Sequence, residues 1–396
     1  MTAPTGLWRV ARDDLLPVLA HLQAIAPKKP VLPILACAIA ESSGENLRLL
    51  AGDLEIQLEF MLKSSFENPG KVAFLVHKTY EIARRLPQGC EMQFSFWGEK
   101  MEIQANIANP QKEIHRPSTV KFTLPALEAA DYPKIETPPE KERVRLWSKD
   151  LREALSMVSF CMASHDARPT LCATLFDFEG QNLTLVATDG HRLALDKITL
   201  PEPASLKTQV LLPKKAVEEL QKMLMTKERQ AAGTAGGATS RNEPVVVDIS
   251  SKLMTFSLGA SALLAKSMEG QYPDYKRVLP AADPNLDVEK EPFLQAVSRM
   301  GVVASEKTSG VLIRLSNQGL ELFAGGQGLE SAHETIPVAY AGQDMDIGFN
   351  LSYLAEALSR INGERVSLLL QGPEAAAMIT APAHPDFCYV LMPMRV

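Results

Sequence analysis

Long apolar runs are scarce in this 396-residue chain. The longest, residues 31–40, is interrupted by Pro33 and falls short of the roughly 18 residues that a membrane-crossing helix needs. The opening residues Met1, Thr2, Ala3, Pro4, Thr5 and Gly6 carry neither the basic start nor the apolar stretch of a secretory signal, which points to the cytoplasm. Cysteine is sparse. Cys37, Cys90, Cys161, Cys172 and Cys388 are odd in number and scattered, and no Cys-x-x-Cys occurs. A disulfide framework or a cysteine zinc site is therefore not expected, and buried free thiols in a reducing compartment are. The seven histidines never form His-x-x-x-His or His-Glu-x-x-His, so neither a metal nor a cofactor is expected. Positive charge is in deficit, with 41 Lys and Arg against 47 Asp and Glu and a net charge of −6. That argues against binding nucleic acid through the whole surface but leaves room for one basic face. What remains, 46% apolar and 22% charged, is an ordinary globular balance. At roughly 150 residues per domain the length predicts two or three domains.

The chain repeats itself. Leu47-Arg48-Leu49-Leu50-Ala51 recurs as Leu183-Thr184-Leu185-Val186-Ala187 and as Leu320-Glu321-Leu322-Phe323-Ala324, at spacings of 136 and 137 residues. Each copy begins with the alternation of a half-buried strand. Val76, Pro213 and Asn350 keep the same period, and each follows a short apolar strand and opens a helical pattern. The third pattern is the clearest, with Leu351, Leu354, Leu358 and Ile361 on one helix face. A third series starts each copy: Leu15, Leu19 and Leu22; Leu151, Leu155 and Val158; Phe293, Val297 and Met300, each after an acidic or capping residue. Short periods would mean a solenoid, whereas a period near 137 means three complete domains of one fold. Two amphipathic helices and many alternating strands per copy predict α+β domains. The expected boundaries lie in polar, Pro-rich stretches, giving domains over 1–135, 144–279 and 286–396. Residues 227–242, rich in Ala and Gly, read as a flexible insertion within the second domain.

The loudest local motif is Ala187-Thr188-Asp189-Gly190-His191-Arg192-Leu193-Ala194. Asp189 and His191 can be read as an acid–base couple, or Asp-Gly as a tight turn between strands. Nothing nearby in sequence supplies a nucleophile, and the matching stretch of the first copy has Asp53 without a histidine. The glycines at 233–237 and 325–328 match neither a P-loop nor Gly-x-Gly-x-x-Gly. A second motif is Gln271-Tyr272-Pro273-Asp274-Tyr275-Lys276-Arg277-Val278-Leu279-Pro280. The chain ends on Tyr389-Val390-Leu391-Met392-Pro393-Met394-Arg395-Val396. Chain ends normally fray and are polar; Met-Pro-Met resembles adaptable apolar surface for partners.

These motifs together with the triple repeat resemble the β-subunit family of bacterial DNA polymerase III, the sliding clamps. The likeness covers essentially the whole chain and includes Pro30-Val31-Leu32-Pro33-Ile34-Leu35 and the segment 345–353. It implies a head-to-tail homodimer in which six domains form a ring around duplex DNA, with antiparallel sheets outside and two helices per domain inside. It implies a non-enzymatic processivity factor that tethers the replicative polymerase, the clamp loader and repair proteins through clamp-binding peptides. A ring holds DNA by topology, so weak, sequence-independent phosphate contacts suffice. Candidate DNA-facing residues are Lys29, Lys78, Arg84, Arg152, His165, Arg168, Lys214, Lys215 and Lys222. The family's peptide pocket falls on Leu171, Thr188, Gly190, His191, Arg192, Leu193, Pro273, Arg277, Val278, Val390, Met392, Pro393 and Met394. The dimer contact falls on Val302 and Val303, on the first helix of the third domain.

Two departures stand out. Ala376 occupies a position where the family often has serine, so one hydrogen bond in the pocket wall is absent. Pro169-Thr170 replaces a tyrosine pair implicated in DNA contact. Two rival readings stay open on sequence alone: an enzyme using Asp189 and His191, and a clamp-fold scaffold or duplicated, resistance-type clamp that no longer encircles DNA.

Overall fold

The computed structural model of the chain describes residue 4 and residues 6–68, 70–107, 118–202, 206–233, 243–304, 310–325 and 330–395. Its helices are α1 (Arg12–Ile25), α2 (Val76–Arg85), α3 (Ser148–Val158), α4 (Lys214–Gly233), α5 (Lys290–Met300) and α6 (Leu351–Arg360). They come two to a repeat, separated by strands, as the periodicity predicts. Each starting helix buries the expected stripe: Leu15, Leu19 and Leu22 in α1, Leu151, Leu155 and Val158 in α3, Phe293, Val297 and Met300 in α5. Asn350 caps α6, its side-chain oxygen accepting from the Tyr353 N–H at 3.1 Å, so one otherwise orphaned donor of the first turn is satisfied.

The three repeated strand motifs lie in Asn46–Gly52, Asn182–Thr188 and Gly319–Gly325. Each pairs antiparallel with the strand before it, and each has its apolar members buried except Phe323, which is half-buried. The expected insertion behaves differently at its start. Residues 227–233 continue α4, and Lys-Glu-Arg-Gln-Ala-Ala there are good helix formers. Residues 234–242 lie outside the described set.

The chain divides into two compact units that cut across the repeat: Met1–Trp147 with Lys222–Ser267, and Ser148–Gln221 with Met268–Val396. The cause is visible in the sheets. In the first unit a thirteen-stranded sheet runs through both its segments. Strand Ile56–Lys63 of the first repeat pairs antiparallel with Ser261–Lys266 of the second, in register from Phe60↔Ser261 to Ile56↔Ala265. In the second unit Arg192–Thr199 of the second repeat pairs with His384–Leu391 of the third, from Arg192↔Leu391 to Leu195↔Cys388, inside an eight-stranded sheet. A separate four-stranded sheet orders Ser331–Ile336, Gly319–Gly325, Gly310–Ser316 and Met345–Asn350. Each repeat is thus joined to the next by backbone hydrogen bonds between sheet edges.

Of the cysteines, Cys37, Cys90 and Cys161 are buried and Cys172 and Cys388 partly so, all as free thiols. Burial pushes the thiols of Cys37 and Cys388 up to about 11, so they are poor nucleophiles near neutral pH.

The joint in the second unit carries a buried acid. Asp196 is 1% exposed and accepts from His384 Nε2 at 2.9 Å across the joint. Burial raises its carboxyl from the ordinary range to about 6, with His384 pulling the other way. Between about pH 4 and 6 the folded chain therefore holds a proton that the unfolded chain has lost. This contribution to stability is complete below pH 4 and disappears as the pH rises through 6. We predict that wild type loses stability relative to Asp196→Asn across that window, read as the difference between urea-unfolding curves at a series of pH values. A difference that grows with pH instead would show that the charged pair with His384 governs the site.

Candidate functional site

The Asp-Gly motif forms the three-residue turn 189–191 between Asn182–Thr188 and Arg192–Thr199. Gly190 sits at φ +89°, in the left-handed region that glycine enters without steric cost. Asp189 Oδ1 accepts the backbone N–H groups of His191 at 3.0 Å and Arg192 at 3.1 Å. Its Oδ2 accepts from Arg192 Nε at 3.0 Å. Thr188 Oγ1 closes the turn, donating to Arg192 O at 2.6 Å and accepting from Gly190 N at 3.0 Å. The Asp189 carboxylate is therefore committed to the turn, and the exposed His191 contributes its backbone N–H to it. An acid–base couple would need the imidazole at that carboxylate.

Arg192 is the least ordinary residue here. Its side chain is 9% exposed. Besides Asp189, it donates from Nη1 to Glu356 Oε2 at 2.7 Å and from Nη2 to Phe160 O at 2.9 Å. The guanidinium lies 4.2 Å from the Tyr353 ring centroid and 5.4 Å from that of Phe160. Burial opposes its charge, but the hydrogen bond to Glu356 and the neighbouring Asp189 more than offset this, so its pKa lies above the ordinary arginine value. Arg192 holds the turn to Phe160 in the 3-10 turn that follows α3 and to α6. It positions the surrounding residues rather than offering a free donor. Sequence reading did not find Phe160, Tyr353 or Glu356, because they join Arg192 only through the fold.

Around this turn the structure gathers most of the expected pocket residues. A buried apolar cluster contains Ala173, Leu175, Val186, Leu193, Leu195, Leu211, Tyr272, Tyr275 and Val390, with Met268, Leu279, Ala376 and Cys388 packed against it. Leu171 is buried in the 3-10 turn Pro169–Cys172. The segment bearing Pro273, Arg277 and Val278 is tied down by two tyrosines. Tyr275 donates to Asp177 Oδ2 at 2.8 Å, and Tyr272 to Val186 O at 3.4 Å. Val278 stays 36% exposed. The chain end is strapped alongside, Met392 N donating to His191 O at 2.9 Å and Met394 N to Gly348 O at 2.8 Å. Met392, Pro393 and Met394 are left half-buried. Ala376 packs on the apolar cluster.

The basic residues singled out are dispersed. Lys29, Lys78, Arg84 and Lys222 belong to the first unit and Arg152, His165, Arg168, Lys214 and Lys215 to the second. Lys29, Lys78, Arg84, His165, Arg168, Lys215 and Lys222 are exposed, and Arg152 and Lys214 half-buried. Lys214 Nζ reaches Ser164 Oγ at 2.9 Å, drawing the start of α4 to the 164–168 loop. Val302 and Val303 lie just beyond α5, which ends at Met300, rather than within it. Gly301 ends the helix there, and Val302 is 83% exposed.

Profiles of the N-terminal, central and C-terminal domains of the DNA polymerase III beta subunit match residues 7–136, 145–274 and 276–395. The chain belongs to the DNA polymerase III beta-subunit family. Its function is that of a DNA sliding clamp. It is 31% identical over 391 residues to the beta sliding clamp of Escherichia coli, covering 98% of this chain and 99% of that one. It is 29% identical over 390 residues to that of Pseudomonas aeruginosa, with the same coverage. A crystal structure of the P. aeruginosa clamp bound to griselimycin superposes with a TM-score of 0.88 at 28% identity, covering 99% of this chain and 100% of that one. The Caulobacter crescentus clamp gives 0.87 at 26% identity and 99% coverage of each. The fold is the three-repeat α+β clamp fold.

The Arg192 arrangement predicts a clear mutational signature. Arg192→Ala strands Asp189 and Glu356 and should cost about 3 kcal/mol. Arg192→Lys should recover less than half, because an ammonium lacks the planar fork that serves three acceptors at once. Thermal and urea unfolding of the three proteins measure this, and a loss under 1 kcal/mol for the alanine variant would refute the assignment.

Proposed function

We propose that the chain acts as a homodimeric ring that encircles duplex DNA in the cytoplasm and tethers partners through a peptide groove, without catalysis of its own. Three clamp domains, over 1–135, 144–279 and 286–396, make up each protomer. The observation that carries the groove is the apolar cluster around Leu193 and Val390, with the half-buried Met392, Pro393 and Met394 continuing the chain from Val390 and Met392 bonded to His191 of the turn, and with Val278 left exposed. An apolar pocket with a few fixed polar groups suits a peptide's aromatic and aliphatic anchors. Thioethers re-pack readily, so one groove takes different Leu and Phe anchors from the polymerase, the loader and repair proteins.

Ring closure is supported by the sheet edges. Two joints between repeats are made inside the chain by the same kind of strand pair. The third repeat offers the equivalent strand Ser331–Ile336, paired on one side only among the described residues. In the first repeat, residues 118–125 of Ser118–Glu128 are likewise paired on one side only. Joining these two edges between chains, head to tail, repeats the internal joint and closes a ring. Val302 and Val303 supply apolar contact beside it, and the candidate basic residues on the helices, with His165 and Arg168, meet phosphates.

Removing residues 392–396 should weaken a labelled Gln-x-x-Leu-Phe-type peptide by about 2 kcal/mol or more, the scale of a hot-spot anchor. Circular dichroism should stay unchanged, because this end is held at the surface by two backbone hydrogen bonds. Equal affinity in fluorescence anisotropy would remove the groove. Separately, Val302→Asp with Val303→Asp should yield monomers by light scattering, whereas an unchanged dimer would place the contact elsewhere.

A further inference from the structure

The first repeat carries a second version of the groove scaffold. Its turn after Asn46–Gly52 is built as the 189–191 turn is: Asp53 Oδ1 accepts Glu55 N at 3.1 Å and Ile56 N at 2.9 Å. Leu54 stands where the second repeat has Gly190, at φ +82° against +89°. The 3-10 turn Pro33–Ala36 matches Pro169–Cys172, entered from Leu32 in one case and Arg168 in the other. Tyr132-Pro133 matches Tyr272-Pro273, and the Tyr132 hydroxyl accepts from Gly52 N at 2.6 Å. The apolar floor matches too: Cys37, Ile39, Leu50, Ala73 and Tyr132 cluster as Ala173, Leu175, Val186, Leu211 and Tyr272 do.

What differs is the rim. In the second repeat the positions of Gly190 and Arg168 are neighbours, since a Cβ on Gly190 would lie 2.8 Å from Arg168 Nη2. In the first repeat those two positions hold Leu54, 40% exposed, and Leu32, 46% exposed, with Val31 beside them 97% exposed. At positive φ a side chain's Cβ crowds the following carbonyl oxygen, so a large apolar side chain stands at this tip against local backbone preference. Strain of this type concentrates at functional positions. Exposed Lys28 and Lys29 precede the apolar loop, while Asp53 and Glu55 flank Leu54, so the rim is basic at one end only.

We propose that this surface of the first repeat is a second docking site, taking a partner's short peptide that carries bulky aliphatic or aromatic anchors and an acidic flank directed at Lys28 and Lys29. The scaffold is that of the groove proposed above, and the peptide class rests on that reading. The charge of the flank follows from the two lysines.

The test uses the full-length protein with methyl-labelled Ile, Leu and Val, intact and with residues 392–396 removed. The probe is the synthetic peptide acetyl-Asp-Glu-Leu-Phe-Leu-amide. Saturable shifts at the Val31, Leu32 and Leu54 methyls should persist in the truncated protein. The double variant Val31→Ser with Leu54→Gly, followed at the remaining Leu32 methyls, should weaken the peptide at least tenfold. It should fold normally, because one site is almost fully exposed and the other gains the residue its φ prefers. Lys28→Glu with Lys29→Glu should weaken this peptide tenfold but leave a Ser-Ser-Leu-Phe-Leu version unchanged. Absence of shifts to the peptide's solubility limit would overturn the site, as would affinity indifferent to the double variant. A response of the same methyls to a 20-base-pair duplex but not to peptide would also overturn it and make the loop a DNA-facing rim. If the first-repeat methyls respond while Val390 in the intact protein does not, the groove reading fails and this site stands.

Discussion

Everything larger than a single repeat depends on satisfying the open edges of β-sheets. An edge strand presents a row of backbone donors and acceptors that water, or another strand, must fill. Here Ile56–Lys63 is filled by Ser261–Lys266 and Arg192–Thr199 by His384–Leu391. Sheets therefore run through the repeats, and the compact units follow the sheets rather than the sequence copies. The edge Ser331–Ile336, left with one neighbour among the described residues, makes a second copy the natural continuation of the same rule.

The three equivalent edge strands show how chemistry is graded along this series. Phe60 of the first lies against His21, ring centroids 5.6 Å apart, and is 9% exposed. At the matching position of the second stands Asp196, buried and held by His384. At that of the third stands Glu334, bonded to Arg299 with its side chain 28% exposed. A joint formed within one chain tolerates an aromatic pair. An edge that must survive in water before its partner arrives requires a solvated ion pair, since exposed apolar edges aggregate. Arg192 follows the same logic in reverse. Buried within one chain, its charge is tolerable only because Asp189, Glu356, the Phe160 carbonyl and two ring faces surround it.

Local pattern made the repeat legible. Leu-x-Leu with a following alanine found one strand per copy, and the apolar faces of α1, α3, α5 and α6 were read to within a turn, since their stabilisation comes from a contiguous stripe of residues. Three things escaped. The start of the insertion looked like a loop because its Ala and Gly content was weighed above the helix formers at 227–232. Val302 and Val303 are assigned to the helix by resemblance, and a family likeness does not register a helix stopping at Gly301. The partners of Arg192 and Asp196 lie as far as 164 and 188 residues away in sequence, and no local window carries that information. The turn itself was legible as a turn. That its aspartate serves an arginine rather than a histidine was not, because Asp-Gly-His-Arg offers both neighbours to the same carboxylate.

Four of the basic residues proposed to meet DNA already have partners. Arg84 lies 3.0 Å from Glu81 and Arg168 3.0 Å from Asp166, Arg152 is 3.5 Å from Glu153, and Lys214 is bonded to Ser164. A phosphate approaching any of the three arginines competes with a carboxylate already in place, and exposed pairs of this kind exchange at a cost of about 0–1 kcal/mol. The net gain per phosphate is then small and similar from one phosphate to the next. For a protein that held DNA by affinity this would be a defect. For a ring it is a requirement: contacts of nearly equal, low strength give no preferred register, so the duplex passes through without pausing, while closure keeps it from leaving.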